Sequence, residues 1–289
     1  MGSSYPEDLR ELVDAELERL RFSEQTATAG LEKAMRYSLL AGGKRVRPVL
    51  ALATARALGA DPERYLRVAA ALELIHTYSL IHDDLPAMDD DELRRGLPTS
   101  HVKFGEDVAI LAGDGLFAEA IRLFCEQPGE PARVLAALAE LAAATGVDGM
   151  VGGQYVDVVG KAADAEALRA LHGLKTGRLI AAGVGVVLIL EGAAEPETMP
   201  YRRFASELGV LFQIVDDILD VTGSDEQLGK PRGSDERHGK LTYVSLFGLE
   251  RARELAAESH AKATAALAEA GADTADLKGI ADYIFTRNE

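Results

Sequence analysis

Residues 68–96 read VAAALELIHTYSLIHDDLPAMDDDELRRG, an apolar run that ends abruptly in a block of acidic residues and two arginines. Asp61-Pro62, ahead of the run, predicts a helix start, because Asp is a good N-cap residue and proline is favoured in the first turn. The helix should extend to about His82, and since it is apolar on most faces we expect it to be central and buried. Taken alone, the acidic block that follows is as compatible with a solvated helix end as with a binding site.

The rest of the chain has the same helical periodicity, with apolar residues recurring at three- and four-residue spacing. The β-branched run Gly183–Leu190 has no partner strand of similar character and lies inside a longer helical pattern, so it is predicted to be helical as well. Hairpin signals and a glycine-rich phosphate loop after a strand are both absent from the sequence. We therefore predict an all-α fold in a single domain of residues 1–289; the antiparallel arrangement of its helices is implied only by the family resemblance described below. The predicted helices are Leu9–Leu20, Leu31–Leu40 (ended by Gly42-Gly43), one beginning at Pro48, the apolar helix above, Asp107–Cys125, Pro131–Thr145, Asp164–Gly192, Glu197–Val221, Thr242–Ala270 and Ala275–Thr286.

The composition narrows the possible partners. The 289 residues include 31 Lys+Arg and 47 Asp+Glu, a formal net charge of -16. Nucleic acid and anionic lipid are disfavoured, since both select for clustered basic residues. The lone Cys125 cannot form an internal disulfide. The N-terminus has no signal-peptide features. The longest apolar stretch, Leu179–Leu190, is shorter than the ~20 residues that cross a bilayer. These features predict a soluble cytoplasmic protein with no membrane insertion.

The first acidic cluster predicts a metal site. Pro86 should bend the chain after the apolar helix so that Asp83, Asp84 and Asp89 converge. Carboxylates this close repel one another, and one would have a raised pKa unless a cation neutralises them. Mg²⁺ typically takes one or two carboxylates together with phosphate oxygens and waters. Mg²⁺ is therefore the expected cofactor.

A second acidic cluster lies in FQIVDDILD, residues 212–220. Asp216 and Asp220 are four residues apart on one side of a helix, with Asp217 alongside. Like the first cluster, it ends an apolar helix, where negative charge opposes the helix dipole. Two such clusters in one chain argue against merely solvated helix ends.

Basic residues accompany both clusters, as a phosphate-bearing ligand would require. GGKRVRP, residues 42–48, offers free backbone N–H groups with Lys44 and Arg47 between two helices. Arg94 and Arg95 follow the first cluster, while Lys175, Lys230 and Lys240 bracket the second. Each of these side chains alone would more often be a surface residue. His76, seven residues before Asp83, is compatible with either a hydrogen-bonded core histidine or a phosphate ligand.

In this order, the motifs GGKRVRP, DDLPAMDDDELRRG, KTG, FQIVDDILD and the LGK…GK pair resemble those of the trans-polyprenyl diphosphate synthases. The resemblance extends from about Leu31 to Tyr243. The long form of the first aspartate motif, together with HTYSLIHDD, is most similar to the bacterial farnesyl diphosphate synthases. The resemblance implies helices around a deep cavity, a homodimer, Mg²⁺, and two diphosphate substrates, one allylic and one isopentenyl diphosphate.

Carried over position by position, the resemblance implies a role for each motif residue. Asp83, Asp84 and Asp89 would form the first metal site, and Asp216, supported by Asp217 and Asp220, the second. Arg94, Lys175, Lys230 and Lys240 would bind the allylic diphosphate, and Gly43, Lys44, Arg47, His76 and Arg95 the isopentenyl diphosphate. Thr176 and Gln213 would direct oxygen dipoles at the carbocation, while Gln154 and Asp157 would line the cavity. The catalytic set would then be Asp83, Asp84, Asp89, Lys175, Thr176, Gln213 and Asp216.

Product length depends on how far the cavity extends along the apolar helix. Tyr78 lies five residues before Asp83, ~7.5 Å along the helix axis. In the family, an aromatic residue at this position accompanies a farnesyl product, and a small or flexible one accompanies a longer product. Tyr78, with the small Ser79 beside it, therefore predicts farnesyl diphosphate.

Other functions remain as alternatives. A geranylgeranyl or geranyl diphosphate synthase differs only in product length. A terpene cyclase would lack the GGKRVRP site, a Mg-dependent phosphohydrolase would not need the apolar helix, and an acidic scaffold would not place its charge at helix ends. A non-catalytic subunit of a prenyl synthase heterodimer would predict a degraded aspartate cluster, and both clusters are intact. The last residues, Arg287-Asn288-Glu289, are less basic than in many relatives, which puts in doubt a cationic tail over the diphosphates.

Overall fold

A computed structural model of the chain describes residues 5–160, 164–223 and 240–287. Helices account for nearly all of the regular structure in these ranges, so the predicted all-α fold is confirmed. The α-helices are α1 (Glu7–Arg19), α2 (Ala29–Leu39), α3 (Val46–Ala57), α4 (Leu66–Asp83), α5 (Ser100–Phe104), α6 (Glu106–Cys125), α7 (Pro131–Thr145), α8 (Met150–Val158), α9 (Ala165–His172), α10 (Arg178–Glu191), α11 (Glu195–Thr222), α12 (Tyr243–Phe247), α13 (Leu249–Ala268) and α14 (Ala275–Thr286). Leu93–Arg94 and Leu97–Pro98 form a two-stranded antiparallel hairpin, β1–β2.

Helix α4 lies in the core, as its apolar sequence predicts, and packs mainly on α3 and α6. Asp61 caps a short 3₁₀ turn, Pro62–Tyr65, which leads into α4. Helix α10 packs against α3, α7 and α11, and its β-branched run is helical and buried. Helix α11 packs along α13. The helices that end in the two acidic clusters, α4 and α11, are thus both held by extensive apolar packing.

Some helix boundaries differ from the sequence prediction. The stretch predicted as one helix over 164–192 contains a π-helical turn at Gly173–Gly177, between α9 and α10. The helix predicted over 242–270 is broken at Gly248, which has φ of 78°. Helix α3 begins at Val46 and not at Pro48, because Pro48 can occupy the first turn, where its missing N–H has no partner to lose.

Helices α5 and α8 and the hairpin β1–β2 were not predicted. Helix α8 follows a glycine-rich stretch that weakens any helical pattern. The hairpin β1–β2 has only two residues per strand, with Arg95 at φ of 55° and Gly96 at 75° in its turn. Arg-Gly is not one of the usual hairpin dipeptides, so the sequence carries no hairpin signal.

Two helical stretches, Pro131–Val158 and Ala165–Glu191, are long and apolar enough to cross a membrane, which the sequence analysis did not expect. A core helix of a water-soluble protein meets the same test. Half of the apolar window in the second stretch is buried inside the protein, against a third in the first. The first stretch therefore exposes more apolar surface than the second.

Gly183 allows α10 to approach α3 closely. A Cβ atom at this position would lie 2.9 Å from the carbonyl oxygen of Arg47, closer than a carbon and a carbonyl oxygen can pack. The close approach fixes the backbone of Arg47, one of the predicted substrate ligands. The glycine is therefore required for packing and not for backbone freedom.

We expect Gly183→Ala to lower the free energy of unfolding by about 1–3 kcal/mol, because the new methyl group must push α10 away from α3. Gly30→Ala in α2 is the matched control, since a Cβ there meets nothing within 4 Å. It should raise the stability by about 0.5–1 kcal/mol through helix propensity. Urea unfolding of both variants measures the two effects, and equal changes of the same sign would contradict the packing argument.

Candidate active site

The chain turns back sharply after α4. The helix ends at Asp83, and the backbone N–H of Asp89 donates to the carbonyl oxygen of Asp83 at 2.9 Å. Pro86 is exposed in this turn, and Asp90 adopts a left-handed backbone with φ of 52°. The turn thus places Asp89 beside Asp83.

The electrostatics of Asp83 reflect this crowding. Burial raises the pKa of Asp83 to about 6. The neighbouring carboxylates of Asp89 and Asp84 contribute to this rise, while Lys175 and Arg94 oppose it. A bound cation would remove the repulsion, so Asp83 and Asp89 form a pair suited to a divalent metal ion.

Asp84 faces differently from Asp83. Its side chain is 4% exposed and accepts a hydrogen bond from Nε of Arg94 at 2.6 Å. The second arginine of the hairpin, Arg95, donates from Nη1 to the carbonyl oxygen of Gly42. The hairpin therefore directs one arginine to the first acidic cluster and the next to the glycine loop. The sequence analysis expected all three aspartates to converge; the structure pairs Asp83 with Asp89 and ties Asp84 to Arg94.

The donor set fits Mg²⁺ supplemented by a phosphate ligand. Within residues 5–160, 164–223 and 240–287, no three Asp, Glu, His or Cys side chains form a ready-made metal site. Mg²⁺ does not need one, because it is usually held by one or two carboxylates together with phosphates and waters. Asp83 and Asp89 supply hard oxygen donors of this kind.

The second cluster divides its carboxylates between two environments. Asp216 is exposed, whereas Asp217 and Asp220 are 2% and 7% exposed. Asp217 accepts hydrogen bonds from the backbone N–H of Tyr243 at 2.7 Å and from Nε2 of Gln213 at 2.9 Å. Asp217 thus anchors the start of α12, and Asp216 is the carboxylate presented to a ligand.

Gln213 is oriented by its hydrogen bonds. A carboxylate accepts only, so Gln213 must direct its NH₂ to Asp217 and its Oε1 away from it. Oε1 accepts from the hydroxyl of Thr176 at 3.2 Å. Thr176 lies in the π-helical turn between α9 and α10, a distortion often found at functional sites.

Three charged side chains form a chain of ion pairs that begins at Asp89 of the first cluster. Lys240 Nζ lies 3.0 Å from Asp89 Oδ1 and 3.4 Å from Asp157 Oδ2. Lys175 Nζ lies 2.6 Å from the same Oδ2. Lys230 lies outside the described residues. The sequence placed Asp157 in the cavity wall only by resemblance, and nothing in its spacing indicated that it holds both lysines.

The glycine loop is fixed by a buried ion pair that the sequence analysis missed. Arg45, with φ of 53°, donates from Nη1 to Glu73 at 2.7 Å and from Nε to Asp14 at 2.9 Å. Both Arg45 and Glu73 are buried. Glu73 was a visible signal, since a charged residue in an otherwise apolar helix requires a partner. The hydroxyl of Tyr5 donates to the carbonyl oxygen of Lys44 at 2.6 Å and holds the loop from the other side.

A cationic pocket lies beside this loop. The guanidinium of Arg95 fills the space where a Cβ of Gly43 would stand, at 2.8 Å. Burial lowers the pKa of Arg47 to about 10, and its buried Nε has no hydrogen-bond partner within the described chain. Burial, with Arg47 and Arg95 next in effect, also lowers the pKa of His76 well below its usual value. An anion bound here would satisfy these groups, which favours the ligand interpretation of His76.

The C-terminal helix contributes to the same pocket. The guanidinium groups of Arg47 and Arg287 lie 6.0 Å and 5.8 Å from the ring centroid of Phe212. Lys44 Nζ lies 5.3 Å from the ring of Tyr283. A cation at the end of α14 therefore reaches the pocket despite the weakly basic tail.

Tyr78 is buried on α4 and contacts a second aromatic ring. Its ring lies 5.4 Å from that of Phe117 on α6, edge to face, and 5.8 Å from that of His82. Ser79 is turned to the backbone, since its hydroxyl donates to the carbonyl oxygen of His76 at 2.8 Å. Tyr78, braced by Phe117, is the bulky side chain at this depth of the helix.

Residues 28–284 match the family described as polyprenyl synthetase. The chain belongs to this family. It is therefore a prenyltransferase, and the resemblance drawn from its motifs is confirmed.

Individual relatives support the family assignment. The chain is 47% identical over 265 residues to the farnesyl diphosphate synthase of Geobacillus stearothermophilus, covering 90% of this chain and 89% of that protein. It is 48% identical over 266 residues to the chloroplastic geranylgeranyl pyrophosphate synthase of Capsicum annuum, covering 89% of this chain and 72% of the other. A crystal structure of the geranyltransferase from Helicobacter pylori, complexed with magnesium and isoprenyl diphosphate, is similar with a TM-score of 0.87 and 32% identity, over 97% of this chain and 95% of that one.

Removing the charge of Asp83 should stabilise the metal-free protein while abolishing its activity. The folded-state pKa of about 6 lies above the ordinary value of 3.8, so the ionised carboxylate destabilises the fold above pH 6. We expect Asp83→Asn to raise the melting temperature by about 2–4 °C at pH 7.5 in EDTA. The gain should shrink to less than half at pH 4.5, where the folded protein carries a protonated Asp83 but the unfolded chain is still mostly ionised, and it should vanish only below the ordinary pKa of 3.8.

The exposed Asp90 provides the control, because Asp90→Asn removes a solvated charge and should leave the melting temperature unchanged. Thermal unfolding at the two pH values measures both variants. A melting temperature of Asp83→Asn at or below that of the wild type at pH 7.5 would contradict the electrostatic argument.

Proposed function

We propose that this prenyltransferase condenses isopentenyl diphosphate with dimethylallyl or geranyl diphosphate and releases farnesyl diphosphate. The chain makes a short-chain trans-prenyl diphosphate, with Mg²⁺ as its cofactor. The observation that carries the proposal is the presence of two different arrangements that could bind a diphosphate. One is built from carboxylates, which would bind the diphosphate through Mg²⁺, and the other from cationic side chains, which would bind it directly. Two diphosphates in one reaction need this division, because only one of them leaves.

The carboxylate arrangement would hold the allylic substrate. Asp83, Asp89 and Asp216 are the side chains that would bind Mg²⁺, which supplies Lewis-acid stabilisation of the leaving diphosphate when bound. Lys240 contacts Asp89, and Lys175 and Arg94 lie close enough to Asp83 to lower its pKa. These three cations would neutralise the phosphate charge that remains. Lys230 is assigned to the same role by its motif alone.

The cationic pocket would hold isopentenyl diphosphate without metal. Arg47 is its buried member, Arg95 and His76 are half-buried, and Lys44 is exposed. His76 is neutral at pH 7, so it can donate one N–H to a phosphate oxygen, while the arginines supply the charge. Gly43 leaves room for the Arg95 guanidinium.

Ionisation of the allylic substrate leaves a carbocation, which must be stabilised without a nucleophile. The Thr176 hydroxyl and the Gln213 Oε1 are fixed by their mutual hydrogen bond and by Asp217. Preoriented dipoles of this kind stabilise positive charge without reorganising. The double bond of isopentenyl diphosphate then attacks, and a proton is lost.

The direct test is elongation with labelled isopentenyl diphosphate and each allylic starter in Mg²⁺, followed by chromatography of the dephosphorylated prenols. We expect farnesol from both dimethylallyl and geranyl diphosphate, and no product in EDTA. No elongation with either starter would overturn the proposal. Geranylgeraniol as the main product would instead favour a geranylgeranyl diphosphate synthase, the activity named for the Capsicum annuum relative.

Tyr78→Ala should lengthen the product, because removal of the buried ring opens the cavity beside α4. We expect products longer than farnesyl to become the major species. Tyr78→Phe keeps the ring and its contact with Phe117, and should retain the wild-type product. An unchanged product profile for Tyr78→Ala would exclude Tyr78 as the length-limiting residue.

We further propose a cytoplasmic homodimer without membrane insertion. Apolar side chains on α6 and α7 are exposed, at 55% for Leu111, 68% for Leu135 and 38% for Phe117. Exposed apolar side chains on two neighbouring helices suit burial against a second copy of the chain. The same contact would cover the apolar stretch that contains α7.

Light scattering after size exclusion tests the dimer. We expect a mass twice the 30.8 kDa of the chain, and a shift towards the monomer for Leu111→Glu, which would bury a charge at the interface. Arg253→Glu, exposed on α13, is the control and should leave the mass unchanged. A wild-type monomer, or an undisturbed Leu111→Glu dimer, would contradict this interface.

A further inference from the structure

Lys240 occupies a position that a metal ion would also seek. Its ammonium group lies 3.0 Å from Oδ1 of Asp89, one of the two carboxylates best placed for Mg²⁺. The side chains of both residues are less than a quarter exposed. An ammonium and a divalent cation at one carboxylate oxygen repel each other strongly where solvent screening is weak.

Asp157 holds Lys240 near Asp89 without fixing it there. Its Oδ2 lies 3.4 Å from Lys240 Nζ and 2.6 Å from Lys175 Nζ. Although burial opposes ionisation, the two lysines keep the pKa of Asp157 below its ordinary value. Asp157 is therefore a stable anion that keeps both ammonium groups at the mouth of the site.

The contact with Asp89 is the one that can be exchanged. Arg94 binds Asp84 with two nitrogens of a planar fork, whereas Lys240 meets Asp89 through one ammonium on a flexible stem. A diphosphate arriving at the site offers Lys240 new acceptor oxygens while Asp157 retains its tether. Lys240 can thus leave Asp89 over a short distance.

We propose that Lys240 is an internal counter-ion that competes with the divalent cation for Asp89 and releases it when diphosphate binds. This role rests on the proposed function and adds a binding order to it: the metal ion binds poorly until diphosphate is present. Asp157 acts as the positioning residue for this exchange. The bare carboxylate cluster is thereby kept neutralised between turnovers.

Removal of the Lys240 ammonium group should change the affinities for metal and for pyrophosphate in opposite directions. Without the ammonium of Lys240, a metal ion alone should bind more tightly, because it no longer displaces a cation. Pyrophosphate alone should bind more weakly, because it loses a cationic partner. General damage to the site would weaken both.

Mn²⁺ serves as the probe, titrated into the full-length protein without substrate and measured as free ion by electron paramagnetic resonance. We expect Lys240→Met to bind Mn²⁺ about five- to tenfold more tightly than the wild type. The control Lys262→Met, an exposed lysine on α13, should show wild-type affinity. Lys240→Met combined with Asp89→Asn should lose the gain, which assigns it to Asp89.

Calorimetry with inorganic pyrophosphate in EDTA measures the affinity for pyrophosphate. We expect Lys240→Met to bind it several-fold more weakly than the wild type. Lys240→Gln replaces Lys240→Met if circular dichroism shows the latter unfolded. Unchanged or weaker Mn²⁺ binding, or a gain that survives Asp89→Asn, would overturn the counter-ion role.

The elongation assay on the wild type separates this failure from that of the proposed function. Elongation with no gain in Mn²⁺ affinity removes only the counter-ion role. A gain in Mn²⁺ affinity without elongation leaves a lysine-regulated metal site and removes the prenyl transfer.

Discussion

Carboxylates must be kept charged and close together in this molecule, in surroundings that disfavour charge. The pKa of Asp83 is raised to about 6, with burial as the largest cause and its acidic neighbours acting in the same direction. Cations in direct contact offset the free-energy cost of keeping these carboxylates ionised. Arg94 contacts Asp84, and Lys240 lies between Asp89 and Asp157. A half-buried cluster without such partners would bind protons or distort the fold. The same cations are the ones proposed to bind a diphosphate, so one set of groups would serve both the substrate and the stability of the carboxylates.

Rigid packing around the charges makes this arrangement possible. Helix α4 is apolar along most of its length and ends at Asp83, while α11 ends in the second cluster and is anchored through Asp217 to the start of α12. The ion pair of Arg45 with Glu73 fixes the glycine loop from within α4. One helix therefore carries the proposed metal ligand Asp83, the proposed floor residue Tyr78 and the anchor of the loop beside the cationic pocket. A substitution that shifts α4 would therefore affect all three.

Much of this could be predicted from the sequence, because the signals are local. Apolar periodicity specified the helices, and the aspartate and glycine motifs specified which helix ends carry chemistry. The partners of those residues could not be predicted. Asp157 meets Lys175 and Lys240 only through tertiary contacts among α8, the π-helical turn and the segment before α12. In the sequence, Arg45 is indistinguishable from the other basic residues of its loop, because its buried partner Glu73 is distant along the chain. Nor does the sequence show that the turn after Asp83 directs Asp84 away from Asp83 and Asp89.

We propose that the two diphosphates are bound by different interactions, one through a metal ion and carboxylates and one through cationic side chains. Calorimetric titration of isopentenyl diphosphate and of a non-ionisable allylic diphosphate analogue, each with Mg²⁺ and with EDTA, distinguishes the two modes of binding. Isopentenyl diphosphate should bind with similar affinity in both buffers, whereas the allylic analogue should lose at least tenfold in affinity in EDTA. Equal metal dependence of the two ligands would show that they are bound in the same way.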